Sequence, residues 1–488
     1  MDMRRLIVLL AIASTVIMAS CHGDLDVDQS SYISEQEMWK SEAHFQQTVN
    51  GAYAQFRTAF FVRLFNYGSL RSGQYVCMVT STDDFYAYSN NINSTVNCGT
   101  NWQPIYNIIG TCNLILKYID DVPFQNQSDK DECKAHAYFL RGFCYFWIAR
   151  IWGDAPIVLS GTVSADQEDL YPVRSLQAHV FAQAERDILA AEEYMPATAR
   201  NIKKATAAAV QMLKADYYLW MGRCQGHGTP ALEKASAALD IVLQSNHKLA
   251  ESFADVFGMN NENNAEIIFS IDMTKNESGN NSYFAYFFPV SSNVTETSAI
   301  NNPILVASTQ YKFRVSDSYM ALMSEDARDV RAALSFGRYD YGANSFYTWP
   351  NKFTGEWLYG QRYHTSDIII YRIAEAYMMK AEIAGAMGHS EQACDYLNRI
   401  AKRAYGVEEY YDMSRLSTAR LESAIIDEYL KEFCMECKTW WMFIRFGVVF
   451  DRSSFLLGRN GETNILLWPV YTDCINTNKN ITQTVGYQ

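Results

Sequence analysis

Three stretches of the chain repeat one helical spacing, a small residue followed by apolar residues four and seven positions later. The matching residues are Ala184, Ile188 and Ala191, then Ala235, Leu239 and Val242, then Ala393, Leu397 and Ile400. On an α-helix these positions share one face, and the small residue lets a partner helix approach closely. Each stretch follows another helical pattern, so we predict helical hairpins of tetratricopeptide size. The unequal gaps between them indicate a helical solenoid that carries large insertions.

The predicted helices have recognisable ends. Gly388 and Ser390 mark the stop of one helix and the start of the next. The helix before Gly153 is apolar on nearly every side, which predicts burial on both faces. Gly153, Asp154 and Pro156 end it, and we expect a short apolar strand to follow.

The pattern changes between residues 251 and 363. Helical periodicity is weaker here, and Asn, Ser, Gly and aromatic residues are more frequent. The stretch "EIIFSIDM" predicts a strand. The predicted fold is therefore mainly α, a tetratricopeptide-like helical scaffold with a loop-rich, partly β insertion region, and binding residues tend to lie in such loops. The predicted segments are 1–20, a signal peptide; 21–30, an acidic tether; 31–250, a helical scaffold; 251–363, the irregular, aromatic-rich region; and 364–488, a helical hairpin and tail.

The N-terminus reads as an export signal. Two arginines precede an apolar run from Leu6 to Ala19, which is shorter than the about 20 residues that a membrane span needs. The residues from Met18 to Cys21 resemble a bacterial lipobox, in which the chain is cut before the cysteine and its thiol is diacylated. We therefore predict a lipid anchor at Cys21, with an ordinary signal peptide and an incidental cysteine as the alternative.

Charge and cysteine usage exclude several function classes. The net charge of −13 repels phosphate backbones, so we expect no nucleic-acid partner. Most cysteines are scattered through apolar patterns and read as small core residues. Cys434 and Cys437 form a CxxC, but they lie in a helical pattern with no second pair and no histidine nearby, so we predict no metal site and no cofactor.

Two loop regions combine aromatic rings with polar side chains. Sugars present C–H faces that stack on aromatic rings and hydroxyl groups that need donors and acceptors. The predicted ligand contacts are Asp83, Tyr86, Tyr88 and Asn90 in the first region and Tyr283, Tyr286, Tyr347, Trp349, Trp357 and Tyr359 in the second. The alternative for each ring is packing under its own loop. Trp102 and Asp84 are assigned to structure, and so are the helical residues Trp147, Trp220, Trp440 and Trp441.

Several motifs together resemble the SusD/RagB family of outer-membrane nutrient-binding lipoproteins. They are, in chain order, Trp102, Tyr106 and Asn113; Arg141, Tyr145, Gly153, Asp154 and Pro156; Asp367, Arg372, Ala374 and Glu375; and Trp468, Pro469, Gly486 and Tyr487. The order matches the family over almost the whole chain. The chain departs from the family at Cys437, where a glycine is usual, and at Thr439 and Met442, which puts a local charge network in doubt.

The resemblance implies a fold and a role. The fold has four tetratricopeptide-like units and a ligand face built from insertions. The role is a non-catalytic surface subunit, anchored in the outer membrane and facing the cell exterior, that captures glycans and passes them to a TonB-dependent, SusC-like transporter. The family's ligand contacts come from loops in the two regions that carry the predicted site.

Three other functions stay open at the level of sequence. Some relatives of the family resemble peptide-capture proteins, as in a RagB-like uptake role. A surface glycosidase would use two carboxylates, which are recognised by their separation in space and not in sequence. No nucleophile elbow, HExxH or phosphate loop occurs in the chain. A purely structural adhesin would use the helical surfaces for protein contact alone.

Overall fold

The computed structural model describes residues 38–164, 166–278, 282–289, 311–343, 345–358 and 361–487. Cys21 and the predicted signal peptide and tether lie outside these ranges. Most of the described chain is helical. The helices are α1 Glu42–Phe60, α2 Arg63–Gly68, α3 Asp83–Tyr88, α4 Gln103–Tyr118, α5 Gln127–Trp152, α6 Gln177–Tyr194, α7 Ala207–Cys224, α8 Gly228–Leu243, α9 Lys275–Ser278, α10 Asp317–Met323, α11 Arg331–Ser335, α12 Ile373–Ala386, α13 Ser390–Tyr405, α14 Thr418–Glu432, α15 Thr439–Phe446, α16 Val449–Arg452 and α17 Thr472–Thr477.

The strands are short and pair in twos. They are β1 Tyr75–Cys77, β2 Ile267–Ile271, β3 Phe313–Val315, β4 Phe336–Gly342, β5 Ser345–Pro350, β6 Glu356–Leu358, β7 Gln361–Tyr363 and β8 Ile368–Arg372. The four antiparallel pairs are β1 with β3, β2 with β8, β4 with β5 and β6 with β7. The strand predicted from "EIIFSIDM" is thereby confirmed as β2. None of the helices in the described ranges is long and apolar enough to cross a membrane.

The predicted helical repeats are confirmed. Helix α5 packs on α6, α7 on α8, and α12 on α13, and the nine repeat residues are all buried. A Cβ added at Gly142 of α5 would lie 3.2 Å from Ile188 of α6, and one at Gly222 of α7 would lie 2.7 Å from Leu232 of α8. Small residues thus set the close approach of the paired helices.

Helix α5 is the centre of the scaffold. Its residues 139–152 are all buried, and it ends at Trp152 before Gly153, whose φ is +74°. The predicted strand after Pro156 is wrong, because this segment makes only a single bridge, between Ala155 and Ser175. The hydroxyl of Tyr145 and the amide of Asn113 bond Val158 instead. Side chains therefore satisfy the backbone groups that a neighbouring strand would otherwise pair.

Cys437 occupies a backbone position that suits glycine. Its φ is +60°, in the left-handed region where a side chain is strained. A Cβ added to Gly68 would lie 1.9 Å from the carbonyl oxygen of Cys437, so the two segments touch through their backbones. The glycine that the family usually carries at this position therefore has a conformational reason.

A pair of substitutions tests this strain. Cys437→Gly is expected to be more stable than Cys437→Ala by about 1 kcal/mol, because alanine keeps the left-handed cost and glycine does not. At Cys434, whose φ is not positive, the order should reverse, since glycine loses more chain entropy there. Urea unfolding of the four variants measures both differences. Alanine equal to glycine at Cys437 would contradict the assignment of strain.

A buried charge network joins the ends of β2 and β8 to α13 and α14. Arg372 donates to Glu266 and Glu432 at 2.7 Å each and makes a two-pronged contact with Glu436. Arg403 bonds Glu266 and Glu432 from the other side. All five side chains are at most 5% exposed. The departures from the family motif in this region therefore leave a complete network, built around two glutamates that the chain retains.

Two further cations extend the network. Lys352 contacts Glu436 at 2.7 Å, and Arg331 makes a two-pronged contact with Glu428. Burial would raise the pKa of Glu432, but the guanidinium groups around it outweigh burial and hold the pKa well below its ordinary value. Glu432 is therefore charged in the folded protein at neutral pH.

Candidate functional site

The pairing of β1 with β3 brings the two predicted ligand regions together. Tyr75 pairs with Val315 and Cys77 with Phe313. The backbone of Lys312 then bonds both sides, since its carbonyl accepts from Met78 and its amide donates to the carbonyl of Tyr286. The loop that carries α3 thus lies beside residues 283–288, although about 200 positions separate them in the sequence.

Lys312 also connects the two regions through its side chain. Its ammonium nitrogen is 2.9 Å from Oδ2 of Asp84 and 4.1 Å from the ring centre of Tyr286. Arg314 lies two residues on, so it shares a strand face with Lys312. Its guanidinium covers the ring of Phe346 at 4.5 Å and pairs with Asp317. Both cations are therefore paired with acids while they border aromatic rings.

Partly exposed rings lie in the segments near these cations. Tyr86 is 37% exposed, and Phe455 is 40% exposed and meets Tyr88 edge-on at 4.8 Å. Burial raises the pKa of Tyr88, and Cys77 adds to the rise while Arg314 opposes it. We define the aromatic platform as Tyr86, Tyr88, Tyr286, Lys312, Arg314 and Phe455. It offers ring faces and edges with hydrogen-bond donors between them, which is the mixture that a sugar surface needs.

Two of the predicted contact residues are corrected by their burial. Asn90 is 3% exposed and exchanges hydrogen bonds with Arg71, whose Nε donates to its Oδ1 at 2.7 Å. Tyr283 is 1% exposed, and its hydroxyl donates to the carbonyl of Met435. Both side chains hold the core together and have no ligand-facing surface. The prediction rested on residue type and position near a loop. It could not tell that these two side chains point into the core and form hydrogen bonds there.

The other predicted residues fall into three groups. Asp83 is exposed, and its carboxylate accepts from the backbone of Asn97. Tyr347 is half-buried beside Tyr311, and Trp349 is buried over Gly337, where a Cβ would lie 2.2 Å from its ring. Tyr359 and the side chain of Trp357 lie outside the described residues.

The residues assigned to structure behave as predicted. Asp84 accepts from Asn66 as well as from Lys312. Trp102 is buried against Tyr106 and Trp152. The four helical tryptophans are also buried, namely Trp147, Trp220, Trp440 and Trp441. The described residues contain no group of three or more His, Cys, Asp or Glu that could hold a metal ion.

Two family models match consecutive parts of the chain. One, described as "Starch-binding associating with outer membrane", matches residues 25–219. The other, described as "SusD family", matches residues 242–487. The chain belongs to the SusD/RagB family.

Several SusD/RagB relatives cover most of the chain. SusD-like protein P38 of Formosa agariphila is 24% identical and spans 99% of this chain and 98% of its own. Starch-binding protein SusD of Bacteroides thetaiotaomicron is also 24% identical and spans 76% of each chain. The solved structure of B. fragilis NanU has a TM-score of 0.78 at 27% identity and covers 95% of this chain and 100% of that one. A SusD superfamily protein of Bacteroides fragilis has a TM-score of 0.79 at 25% identity, over 92% and 100%. The predicted mainly α, tetratricopeptide-like fold is thereby confirmed.

Sequence reasoning missed part of the aromatic platform. Lys312 and Arg314 alternate with apolar residues in "YKFRV", and this period-two pattern could have revealed a half-exposed strand. Phe455 follows α16 in "DRSSFLLG". This segment has no helical periodicity that would place an aromatic residue in the core. These patterns could have indicated partly exposed residues, but nothing in the sequence indicated that they lie near residues 86 and 88.

Proposed function

We propose that this protein is a glycan-binding lipoprotein of the cell surface, which captures oligosaccharides or polysaccharides and delivers them to a partner transporter. The observation that carries the proposal is a group of partly exposed rings in and beside the segments that the β1–β3 pairing brings together. Lys312 lies on the ring of Tyr286, and Phe455 meets Tyr88 edge-on. Tyr86 is 37% exposed in the same short helix as Tyr88. Exposed aromatic rings cost solvation free energy, so a cluster of them on a protein surface is typical of a binding site. The names of the relatives, among them a starch-binding protein, support a glycan as the ligand.

The ligand chemistry favours sugar over peptide. Peptide capture in an extended form needs unpaired backbone groups at a strand edge or a group that binds a terminal carboxylate. The strand β3 at the platform is paired with β1, and its two cations are already paired with Asp84 and Asp317. The platform therefore offers ring faces more than backbone groups.

The proposed anchor and partner follow from the family and the N-terminus. Two acyl chains on Cys21 would bury enough methylene groups for stable attachment, at about 0.8 kcal/mol each. The anchored protein would stay beside a TonB-dependent, SusC-like transporter and supply it with ligand. We expect no catalysis by the protein itself, because capture and delivery need only binding.

The first test is affinity electrophoresis of the chain from residue 22 onward, which lacks Cys21. The gels contain plant, host or microbial polysaccharides, and each retarded sample is then analysed for released fragments. Retardation by one glycan class without fragments is the expected result. Retardation by none of the glycans, together with binding to a peptide library, would replace the glycan by a peptide ligand. Released fragments would show an enzyme.

A further inference from the structure

A second concave region lies apart from the platform. A cavity of about 450 Å³ opens between the start of α4, residues 156–162 and 170–172, and the C-terminal helix α17. Its volume falls within the about 300–1,000 Å³ that small-molecule sites occupy. None of the six platform residues lines it. The cavity is therefore a site of its own and not an extension of the ring surface.

The walls of the cavity are aromatic. Trp102 and Tyr106 meet edge-on at 5.6 Å, and the Tyr106 hydroxyl donates to the carbonyl of Pro156 at 2.7 Å. Tyr471, the residue before α17, also lines the cavity. The ring of Tyr106 on α4 and that of Trp102, the residue before α4, are thus held in fixed orientations before any ligand arrives, which lowers the entropy cost of binding.

The polar part of the lining is almost uncharged. It consists of amides and hydroxyls, with Asn101, Gln103, Thr162 and Asn478 among them. Asp473 is the one ionisable carboxylate, and the described lining contains no Lys, Arg or His. Such a lining suits neutral hydroxyl groups, whereas an anionic ligand would find a carboxylate and no cation.

The walls are also tied to each other. The side-chain amide of Asn478 donates to the carbonyl of Pro172, and the thiol of Cys474 donates to Oδ1 of Asn101. Thr472 donates twice to the carbonyl of Ser94, in the loop that follows α3. The cavity is therefore preformed.

We propose that this cavity is a second binding site, which takes a short uncharged oligosaccharide. Tyr106 and Tyr471 supply ring surface for the sugar C–H groups, while Trp102, 6% exposed, supports Tyr106 from behind. The amides and hydroxyls bond the sugar hydroxyl groups. This assignment goes beyond the proposed function, since it depends on a cavity that the platform does not contribute to. Ligand could occupy it when the platform is disabled.

Gly110 allows the cavity to be blocked without disturbing the fold. It lines the cavity from α4, and a Cβ added there would have no heavy atom within 4 Å. Gly110→Leu therefore fills space that a ligand would use, and leucine has the higher helix propensity. Gly51→Leu is the matched control, because Gly51 is also helical with open space at its Cβ but lies on α1, away from the cavity.

The test is hydrogen exchange with maltohexaose, cellohexaose, xylohexaose and mannohexaose as neutral probes. At least one probe is expected to protect residues 101–110 and 471–481 in the wild type, in Gly51→Leu and in a Tyr86→Ala, Tyr88→Ala double variant. Gly110→Leu should lose this protection and weaken the cavity's affinity at least tenfold. Its Tm should be unchanged or higher.

Three outcomes would overturn the assignment. They are protection that survives Gly110→Leu, equal protection by an acidic oligogalacturonate, and no protection of these two segments by any neutral probe. If the last occurs while residues 83–88 and 311–315 are protected, the second site is wrong and the proposed function stands. Protection at the cavity alone would instead show that the ligand binds in the cavity and not at the platform.

Discussion

Replacing Arg372 with methionine is expected to lower the free energy of unfolding by about 3–5 kcal/mol, the cost of removing one partner from a buried ion pair. Arg372 is 1% exposed and contacts the carboxylates of Glu266, Glu432 and Glu436. Methionine fills part of the same space but leaves these buried charges with fewer cations. Urea unfolding of wild type and variant, followed by circular dichroism, gives the difference.

An exposed ion pair provides the matched control. Lys402 contacts Glu408 at 2.6 Å, but the two side chains are 60% and 74% exposed. Lys402→Met should therefore change the free energy of unfolding by less than about 0.5 kcal/mol. If Arg372→Met costs no more than this control, the remaining cations Arg403 and Lys352 are sufficient and Arg372 is not the centre of the network.

The cost of Arg372→Met should also depend on pH. Burial raises the pKa of Glu436, but Arg372 and Lys352 outweigh it, so the net pKa lies below the ordinary value, as it does for Glu432. A carboxyl group with a lowered pKa stabilises the fold above its unfolded-state pKa, which is about 4.3 for Glu. This contribution is lost as the pH falls through the folded-state value. The difference between wild type and variant should therefore be full at pH 7 and should decrease below about pH 4.

Removing the platform rings is expected to weaken glycan binding by more than tenfold. Tyr86→Ala with Tyr88→Ala deletes two half-exposed rings and the contact of Tyr88 with Phe455. Stacking on a single ring contributes about 1–3 kcal/mol in comparable flat-ligand sites, so two rings account for at least one order of magnitude. Calorimetry with the glycan that retards the wild type gives the ratio of affinities.

A second double variant, with phenylalanine in place of both tyrosines, distinguishes the contribution of the rings to affinity from that of their hydroxyl groups. Tyr86→Phe with Tyr88→Phe keeps both ring faces, so most of the affinity should remain. The phenylalanine double variant should unfold near the wild-type temperature, because both rings keep their packing. The alanine double variant should unfold at a lower temperature, because Tyr88 packs against the core, so the affinities are compared at a temperature at which both variants are folded. Equal losses in the two double variants would show that the hydroxyl groups, and not stacking, bind the ligand. Wild-type affinity in the alanine variant would remove the platform from the site.

Residues of the same type in one short segment show what the sequence cannot predict. Tyr283 and Tyr286 stand three positions apart in one aromatic segment, yet one hydroxyl bonds the backbone of Met435 in the core and the other ring lies under Lys312. Asp83 and Asp84 are neighbours, and only the second pairs with that lysine. A pattern of residue types cannot separate such cases, because burial depends on segments that come from far along the chain.

The sequence by itself determined the helical repeats, their paired packing, the position of the stop at Gly153 and the family motifs. These features are local, since spacing of 3.6 residues and the φ of glycine act within one or two turns. Only the tertiary structure decided which rings form the platform, that Arg372 is surrounded by three glutamates, and that α17 closes a cavity against α4. Each of these depends on pairing between distant segments, and the free energy of such pairing is set by the whole packed core and not by any one stretch.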